Sequence, residues 1–277
     1  MTRQETLRRA REILAASRID EAHLVGEVLL RQALNISRAE LYRDPEDEPS
    51  PEQAAAFWRL IERSLTGTPA AYLTGHREFY GLDFRVDPAV LIPRPETERL
   101  VALALERAAK SGAATIADIG TGCGAIAVSL AVNLPSARIY ATDISPAALE
   151  VARTNARSHG VSRRIEFLTG DLLAPLPGPV DLIVANPPYV KTAELAPPDF
   201  EPGLARDGGP DGLARIRTLC HQARGKLRPG GSLLMEVGRG QASPVSRLLK
   251  HLYPPAAIGV SPDLAGIDRV VSLTLPD

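Results

Sequence analysis

The chain lacks the residues that would announce a metal centre, a disulfide scaffold or a membrane protein. Its two cysteines, Cys123 and Cys220, stand far apart and form neither a metal-ligand spacing nor a disulfide framework. The five histidines are scattered, so no metal is assigned. No apolar run is long enough to span a bilayer, and the opening "MTRQETLRRAREILAAS" has no uninterrupted signal-peptide core. Its acidic residues and the helical spacing of Leu7, Ile13 and Leu14 point to a folded helix rather than an Arg-rich transit peptide. Excess charge is missing too. With 32 basic against 33 acidic residues the net charge is −1, whereas domains that grip nucleic acid by bulk charge are usually clearly basic. Lysine occurs only at Lys110, Lys191, Lys226 and Lys250, so the cations are almost all arginine. These absences predict a reducing, cytoplasmic setting, with no membrane and no direct nucleic-acid partner.

What remains has the balance of a soluble globular protein, 44% hydrophobic and 23% charged. Its 277 residues suffice for one large or two modest domains. The pattern changes near residue 75. Before it, amphipathic stretches at about 5–16, 20–34 and 51–65 predict helices, and "SPEQ" (50–53) has the form of a capping box with proline at the first helical position. "GHREFYGLDFRVDP" (75–88) then switches to a period of two about Gly81, which predicts a hairpin. From residue 95 helical and strand patterns alternate: a helix to about 109, the strand "TIADIG", a helix from Ala125, the strand "ARIYATD", and a helix capped by Ser145 and opened by Pro146. "RIEFLTGD" and "DLIVAN" are the next strands, and a helix from about Asp211 leads through a turn, "RPGG", to the strand "SLLMEVG". The closing "AAIGVSPDLAGIDRVVSLTL" predicts two strands, one of them antiparallel. This alternation means a mostly parallel α/β sheet with helices on both faces. The expected organisation is a helical domain over 1–74, a hairpin connector over 75–90 and a catalytic domain over 91–277.

In such sheets ligands bind beyond the carboxyl ends of the strands, near the topological switch. One strand ends in "DIGTGCGA", with Gly120, Gly122 and Gly124 free to make the tight turn that lets main-chain N–H groups approach a ligand. The next strand ends in Asp143, 23 residues beyond Gly120, where a carboxylate can accept from ribose hydroxyls. The loop does not choose its nucleotide. Gly120, Gly122 and Ala125 satisfy a relaxed dinucleotide pattern, while G-x-G-x-G preceded by Asp118 looks like an S-adenosylmethionine loop.

"NPPY" (186–189) separates the two. Consecutive prolines fix two φ angles and hold Asn186 extended, so its side-chain carbonyl and the Pro187 main-chain carbonyl face outward unconsumed by a ladder. Two acceptors on one rigid loop suit a planar NH₂ group, and Tyr189 can offer an aromatic face. An amide or adenine nitrogen has a delocalised lone pair and is a poor nucleophile. Holding both its N–H groups draws density onto nitrogen and aims it, and the positioning is worth up to about 7–11 kcal/mol. A hydride-transfer enzyme has no use for such a loop.

Taken together these residues resemble the HemK/PrmC family, the protein-(glutamine-N5) methyltransferases that modify peptide-chain release factors. "YLTGHREFYGLDFRVDPAVLIPRPETERLV" (72–101) is similar to the family's interdomain hairpin and the segment opening its catalytic domain. "EPGLARDGGPDGL" (201–213) resembles the loop after its fourth strand, and "DLAGIDRVV" (263–271) its closing strand. The resemblance implies a seven-stranded class I S-adenosylmethionine-dependent methyltransferase sheet, Rossmann-like, with a small all-helical N-terminal domain. It implies N5-methylation of the glutamine in the Gly-Gly-Gln motif of class I release factors, with S-adenosylmethionine as cofactor and S-adenosylhomocysteine as product. Its cofactor loop falls on Gly120, Thr121, Gly122, Cys123 and Gly124, its ribose acid on Asp143, and its adenine side on Asp171 and Leu172. Asn186, Pro187, Pro188 and Tyr189 fall on its amide-holding motif, with Asn186 also beside the cofactor and Ile92 and Pro93 as apolar channel wall. Leu172 replaces an aromatic found in some members, Cys123 is a mild variation, and Arg94 with Glu96 reads equally as a structural ion pair. The N-terminal helices and the 196–212 loop are expected to dock the release factor. Two rivals stand beside this reading: an adenine-amino (N6) methyltransferase of nucleic acid, and a catalytically silent adaptor, which would be free to lose Asn186 and Asp143.

Overall fold

A computed structural model of the chain describes residues 1–195 and 200–277. They form two compact units, Met1–His76 and Arg77–Asp277. The first is helical: α1 (Arg3–Ala16), α2 (Ala22–Leu34), α3 (Arg38–Arg43), α4 (Pro51–Leu65) and α5 (Ala70–Thr74). Capping boxes open three of them, Thr2 with Glu5, Ser37 with Glu40 and Ser50 with Gln53. Each cap residue is worth about 0.5–2 kcal/mol over alanine. α2 begins two residues later than the spacing predicts because Glu21 turns left-handed, with φ of 51°. Leu14, Leu29, Leu30, Phe57 and Ile61 fill the core of this unit. α3 and α5, of six and five residues, are too short to leave a helical period in the sequence.

A hairpin follows, β1 (His76–Phe79) and β2 (Leu82–Arg85). Tyr80 and Gly81 between them both have positive φ, 52° and 71°, as a two-residue turn matched to strand twist requires. Next come α6 (Pro95–Ser111), β3 (Thr115–Ile119), α7 (Ala125–Asn133), β4 (Arg138–Asp143), α8 (Pro146–Ser158), β5 (Ile165–Thr169) and β6 (Val180–Ala185). The chain closes with α9 (Ala214–Gln222), β7 (Leu227–Glu236), α10 (Ala242–Leu252), β8 (Ala257–Pro262) and β9 (Asp268–Thr274). Among the described residues the main sheet has seven strands in the order β5-β4-β3-β6-β7-β9-β8. β3 to β7 run parallel, and β9 lies antiparallel between β7 and β8.

Three details differ from the sequence reading. "RPGG" lies within β7 as an irregularity: pairing with β6 steps from Val180 opposite Leu227 to Leu182 opposite Ser232, and the surplus residues are absorbed there. α9 starts at Ala214, three residues later than expected, because the main chain through Gly208 and Gly212 packs against residues 188–190 first. α10, between the last parallel strand and the closing pair, went unpredicted. Central strands are buried on both faces, and Leu182, Ile183, Val184 and Ala185 of β6 are inaccessible to solvent. The sheet order reverses between β4 and β6 on either side of β3. Residues 120–124 and Asn186 follow the carboxyl ends of β3 and β6, and Asp143 is the last residue of β4.

Candidate active site

The glycine-rich loop is tied down on both sides. The Gly120 and Thr121 N–H groups donate to the Thr142 carbonyl at the end of β4, each at 2.9 Å. Gly124 opens α7 at φ of 84°, and a Cβ there would lie 3.1 Å from Ala152 Cβ, so the close approach of α7 to α8 requires glycine. Asn155 on α8 clamps the loop from below. Its Oδ1 accepts the Arg85 N–H of the hairpin at 2.8 Å, and its Nδ2 donates to the Cys123 carbonyl at 2.8 Å. Asp143 bridges two turns: Oδ2 accepts from the Gly122 N–H and Oδ1 from the Ser145 N–H, both at 2.9 Å. Ser145 in turn caps α8.

Beneath the loop Asp118 is fully buried. Its Oδ2 accepts from Thr121 Oγ1 at 2.6 Å and from the Ala127 N–H at 3.1 Å, while Oδ1 has no partner among the described residues. Burial pushes this carboxyl up to about 7, partly offset by those two donors and reinforced by the charge of Asp143. The folded chain thus holds the Asp118 proton more tightly than the unfolded chain between about pH 4 and about pH 7. Stability from this group is present below that window and lost as pH rises through it. Relative to the native chain, Asp118→Asn should therefore gain stability between about pH 5 and about pH 8. Denaturant unfolding of both at the two pH values measures this. A constant difference would mean that Asp118 is ionised throughout.

A cleft runs along these strand ends. Gly120, Gly122, Asp143, Ile144, Asp171, Leu172 and Asn186 line it, with Leu91, Leu204 and Arg215. Leu172 takes a left-handed φ of 50°, held by Thr142 Oγ1 donating to its carbonyl at 2.9 Å. A second cleft is lined by Leu91, Arg94, Asn186, Pro187, Pro188, Tyr189, Ala205 and Arg206. Leu91, Asn186, Pro188 and Ala205 belong to both, so the clefts meet at the NPPY loop.

The loop is fixed from behind. The Tyr189 carbonyl accepts from Gln241 Nε2 at 2.9 Å, and Val190 exchanges main-chain bonds with Arg206 and Gly208 at 2.9 and 2.8 Å. Asn186 Nδ2 donates to Thr97 Oγ1 at 3.1 Å, the Thr97 hydroxyl donates to Glu236 Oε2 at 2.7 Å, and the Tyr189 hydroxyl donates to Glu236 Oε1 at 3.1 Å. Burial raises the Glu236 carboxyl pKa, opposed by these two donors and by Arg269, and burial beside Glu236 raises that of the Tyr189 phenol. Among the described residues neither Asn186 Oδ1 nor the Pro187 carbonyl accepts a hydrogen bond. Both acceptors remain for a ligand.

Of the residues singled out from sequence, Gly120, Gly122, Asp143, Asp171, Leu172 and Asn186 line the first cleft. Pro187 and Tyr189 line the second, Pro188 both. Thr121, Cys123 and Gly124 support the loop from beneath without lining either, and burial pushes the Cys123 thiol up to about 12. Ile92 and Pro93 are buried behind the wall, and Leu91 takes the lining position. Arg94 pairs with Glu201 at 2.5 Å, not with Glu96; Glu201 also accepts the Ile92 N–H at 3.1 Å and so stitches the 201–206 segment to residues 92–94. Residues 196–199 of the predicted docking loop lie outside the described residues. Thr97 and Glu236 were missed. Their signals were a hydroxyl inside "IPRPETE" and a carboxylate ending an apolar strand, each too common to stand out alone.

The residues fit an elongated nucleoside-type ligand with a cationic end. Ile144, Leu172 and Ala148 offer apolar wall, and the carboxylates of Asp143 and Asp171 offer lone pairs and charge to the ligand.

Comparison with known proteins finds relatives that span both units. Residues 5–75 match the family model described as the PrmC N-terminal domain, and residues 97–198 the methyltransferase small domain. A release factor glutamine methyltransferase of Moorella thermoacetica is 50% identical over 274 residues, covering 97% of both chains. That of Koribacter versatilis is 42% identical over 278 residues, 98% of both. Among solved structures, ribosomal protein L11 methylase from Lactobacillus delbrueckii subsp. bulgaricus aligns with a TM-score of 0.52 at 25% identity, over 70% of this chain and 86% of that one. With similarity of this extent spanning both units, the chain belongs to the release factor glutamine methyltransferase family.

Proposed function

We propose that this chain transfers the methyl group of S-adenosylmethionine to the N5 amide nitrogen of the glutamine in the Gly-Gly-Gln motif of class I peptide-chain release factors. One observation carries the reading. Asn186 stands on the wall common to both clefts, with its Oδ1 and the neighbouring Pro187 carbonyl unclaimed by any described residue.

S-adenosylmethionine, when bound, supplies an electrophilic sulfonium methyl group. Gly120, Gly122 and Asp143 would hold its nucleoside side in the first cleft, on a loop shaped by Thr121, Cys123 and Gly124; Leu172 and Ile144 would pack on its flat apolar part, and Asp171 would accept beside it. The target amide enters by the second cleft. Asn186 Oδ1 and the Pro187 carbonyl accept its two N–H groups, draw density onto nitrogen and orient the lone pair toward the first cleft. Tyr189 and Leu91 flank the entering side chain. No strong base is needed, because the methylated, positively charged nitrogen loses its proton readily to water or to one of these carbonyls.

The unit Met1–His76 and the segment around 200–212 dock the release factor away from its glutamine. Contacts remote from the glutamine allow one exposed side chain to be selected. The setting is the cytoplasm, where release factors act; among the described residues no helix is long and apolar enough to cross a membrane.

The test is transfer of label from methyl-labelled S-adenosylmethionine to a folded bacterial release factor, to the same factor with the motif glutamine changed to alanine, and to adenine-containing DNA. Label on the intact factor alone is expected. Label on DNA, or equal label on the alanine variant, overturns the substrate and retains the chemistry. In the same assay a chain lacking residues 1–70 should show KM for the factor raised at least about tenfold, about 1.4 kcal/mol of docking energy, with cofactor binding unchanged. An unchanged KM would remove the docking role.

A further inference from the structure

Asn186 can hold a target amide only if its own amide faces the right way. Its oxygen must point into the cleft to accept; turned over, it would aim two N–H donors at the N–H groups of the target. Asn186 alone does not decide this, since its oxygen and nitrogen have nearly the same shape. The decision lies one hydroxyl further in.

Thr97 sits in the first turn of α6 and is buried. Its hydroxyl has a single proton, and that proton goes to Glu236 Oε2 at 2.7 Å. Toward Asn186 the Thr97 oxygen can then only accept, so the Asn186 group facing it must be Nδ2, at 3.1 Å. Oδ1 is left toward the cleft. Glu236 is the fixed end of the chain. It is 1% exposed, ends β7 beside the β6 strand that Asn186 follows, and takes a hydroxyl donor on each oxygen, Thr97 on one and Tyr189 on the other. Two hydroxyls converging as donors is the arrangement of a carboxylate; burial and nearby Glu96 oppose its charge, while those two donors and the Arg269 guanidinium favour it. A buried carboxylate is costly unless it does something that an apolar residue could not.

We propose that Glu236 and Thr97 are positioning residues that impose the direction of the Asn186 amide, the carboxylate ordering the threonine proton and the threonine oxygen ordering the asparagine. The proposal rests on the function inferred above and names a determinant of that same site. Through its second oxygen Glu236 also holds the Tyr189 hydroxyl, so both ends of the NPPY loop answer to one buried group.

Glu236→Gln tests it with almost no change of shape. A glutamine can donate to Thr97, which frees the threonine proton to turn toward Asn186 and lets the amide reverse. The expected result is kcat lowered about 10- to 100-fold, as for a buried acceptor replaced by a donor, with the cofactor dissociation constant and the unfolding midpoint close to native. Thr97→Val should match it, and Thr97→Ser, which keeps the hydroxyl, should restore most of the activity. In the Asn186→Ala background Glu236→Gln should cost clearly less than in the native chain, since there is no amide left to direct and only the Tyr189 contact remains to be disturbed. Native kcat in Glu236→Gln, full additivity with Asn186→Ala, or a serine variant as poor as the valine one would each overturn the proposal. A second readout needs no substrate. The Asn186 side-chain amide resonances, assigned by their loss in Asn186→Ala, should move in Glu236→Gln and Thr97→Val and stay in Thr97→Ser. A chain that methylates no release factor would refute the proposed function, and these resonances would still decide the orientation.

Discussion

Asn186→Ala lowers kcat on a release factor by about 100-fold while the cofactor dissociation constant moves less than about threefold: that is the expected outcome, and it follows from what the side chain touches. Asn186 contributes Oδ1, one of the two acceptors that face the junction of the clefts, and its Nδ2 is spent inward on Thr97. Removing one acceptor costs about 1–3 kcal/mol, or about 5- to 150-fold in rate. The upper part of that range applies because a target held by the Pro187 carbonyl alone can also swing, which loses orientation as well as a bond. The first cleft keeps its glycine loop, Asp143 and apolar walls, none of which bonds to Asn186, so cofactor affinity should stand. Isothermal titration with the cofactor and steady-state kinetics with the factor separate the two. Equal losses in both would mean that Asn186 holds the cofactor and that the amide is held elsewhere.

Much of this site is readable in the sequence because its parts obey local rules. A strand must stop at two prolines, a glycine run after a strand must turn tightly, and a carboxylate at the next strand end lies beside that turn once the strands pair in parallel. Such rules locate residues 120–124, Asp143 and Asn186 before any fold is known, and the sheet then gathers them at the carboxyl ends of β3, β4 and β6. Thr97, Glu201 and Glu236 are a different case. Thr97 lies 89 positions from Asn186, and Glu236 lies 139 from Thr97. Nothing near them in the chain distinguishes a hydroxyl that orients an amide from one that merely faces solvent. Arg94 illustrates the same limit. Its near neighbour Glu96 offers the obvious local partner, yet Glu201, 107 residues away, takes the pair because the loop after β6 folds back over residues 92–94. Which residues line a wall is also a matter of a single register step. Leu91 faces the clefts while Ile92 and Pro93 turn inward.

The largest expected loss of stability comes from Gly212, a residue that touches no ligand cleft. Its φ is 75°, and a Cβ built on it would stand 2.4 Å from the Tyr189 carbonyl oxygen and 2.7 Å from Gln241 Nε2. Neither neighbour can retreat. Tyr189 is held by Gln241 at 2.9 Å, and Gln241 is itself held by the Gly238 N–H on its Oε1 at 2.9 Å. Gly212→Ala therefore pays twice, about 1–2 kcal/mol for a left-handed alanine and about 1–3 kcal/mol for overpacking against main chain. Together these make about 2–5 kcal/mol, enough to lower the unfolding midpoint by about 4–20 °C in a unit of this size. Gly240 provides the control, since its φ is 81° but nothing lies within 4 Å of its added Cβ. Gly240→Ala should lose only the backbone contribution of about 1–2 kcal/mol and keep native kcat. In Gly212→Ala the strain is delivered to the carbonyl of Tyr189, two residues from the Pro187 carbonyl that faces the target amide, so kcat should fall with stability even where the protein remains folded. Thermal unfolding and turnover of the two variants side by side decide the matter. Equal midpoints would show that the 208–212 segment yields freely, and that the rigidity of the NPPY loop comes from its prolines alone.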